Sequence, residues 1–117
     1  MRYPLTFYTN RFIPESAAGC MRVILLPVIF IRQKYRDDAG LYAHELEHVK
    51  QALRGLLIVH LLLYQFSARY KLWAEVAAYR IQAKHYPDDR RPLFARFIAQ
   101  HYGLDVSEQA ALDALRG

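Results

Sequence analysis

A chain of 117 residues is long enough for one domain with a single modest core, and residues 1–117 are read as one unit. The hydrophobic fraction of 54% against 23% charged residues excludes a disordered chain. Cys20 is the only cysteine, so no intramolecular disulfide and no cysteine-based zinc cluster can form, which suits a reducing compartment. The net charge of +5 is spread along the chain without a basic tract, so nucleic acid is not the expected partner.

At the N-terminus, Met1 to Thr6 carries a single Arg and no apolar run behind it. No secretory signal is expected, which points to a cytoplasmic protein, with release by lysis as the alternative. Pro4 and Pro14 bracket a short-strand or irregular segment, and Ser16 to Gly19 reads as a turn. Arg22 to Arg32 is dense in Val, Ile and Phe, the composition of buried strands. Pro27 cannot donate to a ladder, so the expectation is a strand pair over 21–26 and 28–34, split there or lying at a sheet edge.

Asp37 and Asp38 offer a helix N-cap, Leu41, Leu46, Val49 and Leu53 form a helical stripe, and Gly55 supplies a stop. Residues 56–86 read as one long apolar helix, or two joined near Gln65 to Ser67, closed by Pro87. The apolar run from Gly55 to Phe66 is too short to span a bilayer, which needs about 20 residues; it reads as buried, with contact to a membrane interface as the alternative. Helices over 91–102, ended by Gly103, and over 108–116, capped by Ser107, complete the chain. The expected class is α+β and mainly helical: a small N-terminal strand unit followed by four to five helices.

The chemistry lies in His44-Glu45-Leu46-Glu47-His48. On a helix, positions 44 and 48 are one turn apart on one face, so two imidazoles can reach one metal ion. Glu45 is offset by about 100°, beside the pair. There it is placed as a base toward zinc-bound water rather than as a ligand. Chance yields this pattern in about one of a hundred chains of such composition. The bland alternative is a solvated helix face.

A catalytic zinc site needs a third protein ligand and an open position. The metzincin continuation fails, because Gln51 and Arg54 stand where its Gly and third His belong. Glu75 is the one acid between Glu47 and Asp88, in an apolar helical stretch where a carboxylate needs a cation. It is the expected third ligand, the alternative being a pair with Arg69 or Arg80. His60 is its competitor for that role, although a hydrogen-bonded core histidine is the plainer reading. His85 and His101 sit near helix ends, where they suit the dipole. Gln51 shares the face of His44 and either touches the site or caps the cleft. Tyr79, one turn after Glu75, is a candidate oxyanion donor, with packing as its alternative.

The HExxHxxQ segment, His44 to Gln51, followed by Glu75-Val76-Ala77-Ala78, resembles compact gluzincin-like metallopeptidases, most of all minimal zincins of bacteria and their phages. The likeness covers residues 28 to 82. It implies a zincin-like minimal core binding Zn2+ through His44, His48 and Glu75, with Glu45 as base. It also implies an edge strand that aligns a peptide or protein substrate, for which Val28 to Arg32 is the candidate. Tyr79 stands where an acidic residue often follows in that family. The expected function is a zinc-dependent peptidase. The rivals are a zinc-containing binding protein without turnover and a basic helical interaction module.

Overall fold

The computed structural model describes residues 4–14, 17–23, 26–55 and 57–117. Its strands are β1 (Thr6–Tyr8), β2 (Gly19–Val23) and β3 (Pro27–Ile31). A 3-10 turn over Gln33–Tyr35 leads to α1 (Ala39–Arg54), α2 (Ile58–Phe66), α3 (Ala68–Ala83), α4 (Arg91–His101) and α5 (Glu108–Arg116). The class is α+β and mainly helical, as the composition and periodicity imply. Among the described residues no helix is long and apolar enough to cross a membrane.

The three strands run in the order β1-β3-β2, with β1 parallel and β2 antiparallel to β3. This corrects the expectation for Val28 to Arg32. That segment is the central strand, and all five residues of β3 are buried. Pro27 is tolerated because it is the first residue of the strand, where its missing N–H matters least. A run of Val, Ile and Phe buried on both faces is what a central position demands. The strand pair lies at 19–23 and 27–31 rather than at 21–26 and 28–34. Gly19, expected in a turn, opens β2, and Ser16 lies outside the described residues.

Local chemistry sets the helix boundaries. The Asp38 side chain accepts from the Leu41 N–H at 3.0 Å and starts α1, and Gly55 ends it. Ser67 is extended and its hydroxyl accepts from the Tyr70 N–H, so the described part of this stretch forms two helices and not one. The second of these stops at Ala83, before Pro87. The Ser107 hydroxyl caps α5 through the Ala110 N–H, and Gly103 takes a positive φ of 65° after α4.

Two apolar cores result. Ile29, Ile31, Leu41 and Val49 join the sheet to α1, while Tyr79, Phe94, Ile98, Ala111 and Leu115 join α3, α4 and α5. The packing of α1 against α3 bridges them, and Ala52, Ala74 and Ala78 are fully buried there. Small side chains at this seam let the two helices approach closely, and the polar residues described next lie along it.

Candidate metal centre

His44, Glu45 and His48 project from α1, and Glu75 from α3; each is at least 93% buried, at 3%, 4%, 7% and 1% exposure. Groups this polar are not withdrawn from water without partners. The partners are one another. His44 Nε2 lies 3.2 Å from His48 Nε2, and Glu75 Oε1 lies 3.4 Å from the first and 3.3 Å from the second. These three side chains form a donor cluster of the kind that could hold a metal ion. Glu75 is thus paired with imidazoles and not with Arg69 or Arg80. Glu45 sits beside the cluster, its Oε1 3.8 Å from His44 Nε2, and its buried Oε2 has no hydrogen-bond partner among the described residues. Glu47 points elsewhere and pairs with Arg54.

A further layer of contacts orients the donors. Gln51 Nε2 donates to the Ala74 carbonyl, which fixes the amide and turns its Oε1 toward His48 Nδ1, 3.0 Å away. His48 Nδ1–H therefore donates to Gln51, and Nε2 is left facing the cluster. The Tyr64 hydroxyl, from α2, donates to Glu75 Oε2, which leaves Oε1 to face the imidazoles. Tyr79 packs its ring edge-on against His44 at 4.3 Å, while its hydroxyl is hydrogen-bonded to that of Tyr102 at 2.7 Å.

The electrostatics follow. Burial raises the pKa of the Glu45 carboxyl, and the nearby imidazoles only partly offset this. Burial acts in the same direction on Glu75, but the His48 charge and the hydrogen bonds from both imidazoles outweigh it, so Glu75 stays ionised far below the usual carboxylate range. Burial disfavours charge on His48, yet the Glu75 carboxylate overcomes it and the pKa rises to about 9.

The cluster lines a cleft of about 650 Å³, which Gly19, Cys20 and Arg22 of β2 also line. His60, the expected rival to Glu75, is buried on α2 and bonds through Nδ1 to the Tyr70 hydroxyl, outside the donor cluster. His85 and His101 are exposed. Sequence reasoning missed Tyr64 and Tyr102. Tyr64 had a faint signal, since it stands one turn after His60 on the same helix face; Tyr102 had none. No family profile, curated protein or solved structure matches this chain.

Proposed function

We propose that this chain is a zinc-dependent peptidase in which His44, His48 and Glu75 hold the metal and Glu45 acts as general base. The observation that carries the proposal is the donor triangle, with sides of 3.2, 3.4 and 3.3 Å. Bonds of about 2.0–2.1 Å at tetrahedral angles separate zinc ligands by about 3.3–3.4 Å, so the buried donors already stand at the required spacing. Two His and one carboxylate leave the fourth position open, as in catalytic rather than structural zinc sites. The likeness of His44 to Gln51 and of Glu75 to Ala78 to gluzincin-like enzymes supports the same choice.

Zinc held by His44, His48 and Glu75 would supply Lewis-acid activation of water or of a carbonyl. The rest of the chemistry belongs to the side chains. Glu45 presents an unpartnered Oε2, and its raised pKa suits it to take a proton from water and return it to a leaving amine. In the Tyr79–Tyr102 pair one hydroxyl donates to the other, so one O–H remains for the carbonyl oxygen of a substrate. A peptide would align along β2, which among the described residues pairs only with β3 and borders the cleft at Gly19 to Arg22.

Two measurements test this. Metal analysis of the purified chain is expected to give one zinc per chain, and a zinc-free protein that stays so after reconstitution removes the proposal. Glu45→Gln is expected to keep the metal and lose at least about a hundredfold in peptide hydrolysis. Equal turnover by variant and parent excludes Glu45 as the base. Absence of turnover in both leaves the non-catalytic zinc protein as the answer.

A further inference from the structure

The helix α2 is built inside out for a helix at a protein surface. His60 is its one buried residue, and Tyr64, a turn later on the same side, reaches Glu75. The opposite side carries Ile58, Val59, Leu62, Leu63 and Phe66, which are 71%, 47%, 54%, 40% and 80% exposed. On a helical wheel these five span about 140°. Leu53, at the end of α1, and Trp73, on α3, are also large, apolar and exposed, at 44% and 52%. Isolated exposed apolar side chains are ordinary, but a continuous face of this kind marks a surface that meets something.

The charges around it narrow the choice. Lys50 and Arg54 lie just before α2 in the chain and Arg69 just after it, and all three are exposed. From residue 48 to residue 87 the single acid is Glu75, which is buried in the donor cluster. The segments that flank the apolar face in the chain therefore carry exposed cations, Lys50 and Arg69, and offer no exposed carboxylate between positions 48 and 87. Arg54 is paired with Glu47, but a second copy of the chain docking on this face would bring more Lys50 and Arg69 ammonium and guanidinium groups to it and no exposed carboxylate from the same stretch. An anionic surface meets both features at once.

We infer that the outer face of α2 docks onto an anionic phospholipid surface. Ile58, Leu62 and Phe66 enter the acyl boundary, and Lys50 and Arg69 lie at the level of the headgroup phosphates. Trp73 sits at the interface, where its ring has an apolar body and a polar N–H. The helix does not span the bilayer. Its inner side carries Tyr64 to the donor cluster, and Leu61 lines the cleft, so docking holds the cleft close to the membrane surface. The inference rests on the surface of α2 and not on the metal.

Trp73 is the only tryptophan, so its emission reports docking directly. The full chain is expected to sediment with phosphatidylglycerol vesicles and to shift its Trp73 emission to the blue. Binding to phosphatidylcholine vesicles should be weaker by about tenfold or more, and Lys50→Glu with Arg69→Glu should weaken binding to phosphatidylglycerol by a similar factor. Leu62→Ser with Phe66→Ser should abolish binding while leaving the circular-dichroism melt unchanged, because both side chains are exposed. The same binding by zinc-loaded and chelator-treated protein would separate this result from the metal proposal. No sedimentation with phosphatidylglycerol vesicles overturns the inference, as does equal binding by the double-serine variant. A dimer that the double-serine variant dissolves, without vesicle binding by the parent, overturns it in favour of a second copy.

Discussion

Glu75 and His48 show how much of the site depends on their immediate neighbours. Tyr64 removes one oxygen of Glu75 from competition, and Gln51 settles which ring nitrogen of His48 faces the cluster. Contacts of this kind typically govern affinity by about 10–100-fold. Tyr64→Phe is therefore expected to weaken zinc binding by about that factor with the fold intact, measured by competition with a chelator; an unchanged affinity would remove Tyr64 from the site. Proton competition gives a second prediction. The Glu75 carboxylate outweighs burial and raises His48 to about 9 in the metal-free chain. Zinc requires the deprotonated ring, so at neutral pH a proton must leave as the metal enters. Zinc affinity should then rise as the pH approaches about 9, by about tenfold per unit where one proton is displaced, and level off above. Titration of metal binding across this range is the check, and a flat profile would mean that His48 is already neutral.

At the level of elements, the start of α1 is tied to the segment that follows α3. The Tyr86 hydroxyl donates to Asp38 Oδ1 at 2.7 Å and accepts from Gln82 Nε2 at 2.9 Å. The same Asp38 oxygen caps α1, so one carboxylate serves both contacts. Arg90 covers the Tyr86 ring at 3.7 Å. Burial and the Asp38 charge push the Tyr86 hydroxyl up to about 12, which keeps it a donor across the physiological range. Gly40 makes room for this tie: a Cβ there would lie 2.6 Å from the Tyr86 hydroxyl oxygen. Gly40→Ala should cost about 1–3 kcal/mol through overpacking, despite the higher helix propensity of Ala. Tyr86→Phe should cost about 1 kcal/mol through the lost bond. Urea denaturation measures both, and a stabilised Gly40→Ala protein would show that Tyr86 yields freely.

For the molecule as a whole, the donor cluster lies at the seam between two cores. His44 and His48 belong to the helix that packs on the sheet, and Glu75 to the helix that packs on α4 and α5. An ion held by all three would link these halves and stabilise the folded chain by mass action. With free zinc at about a hundred times its Kd the gain is about 2.7 kcal/mol. For a chain of this size that raises Tm by roughly 10 °C. Thermal unfolding with and without a chelator should show this shift in the parent and little of it in Glu75→Ala. An equal shift in both proteins would place the metal elsewhere.

Much of this was legible in the order of residues because the signals are local. Asp38, Ser67, Ser107, Gly55 and Gly103 act within a turn of their own positions, so both ends of α1, the starts of α3 and α5 and the end of α4 follow from short-range chemistry, whereas α3 stops at Ala83, short of the expected Pro87. The pairing of His44 with His48 is likewise a property of helical periodicity, and the isolation of Glu75 among apolar residues marks a carboxylate that needs a cation. Other features were beyond reach. Val28 to Arg32 reads in the sequence as an edge strand, and only the pairing of β1 on the far side of β3 shows the segment to be central, because strand order depends on residues distant in sequence. The link from Tyr64 to Glu75, the pairing of Tyr79 with Tyr102 and the outward face of α2 arise in the same way. Each depends on which sides of separate helices meet, and that is decided by burial across the whole chain rather than by any segment of it.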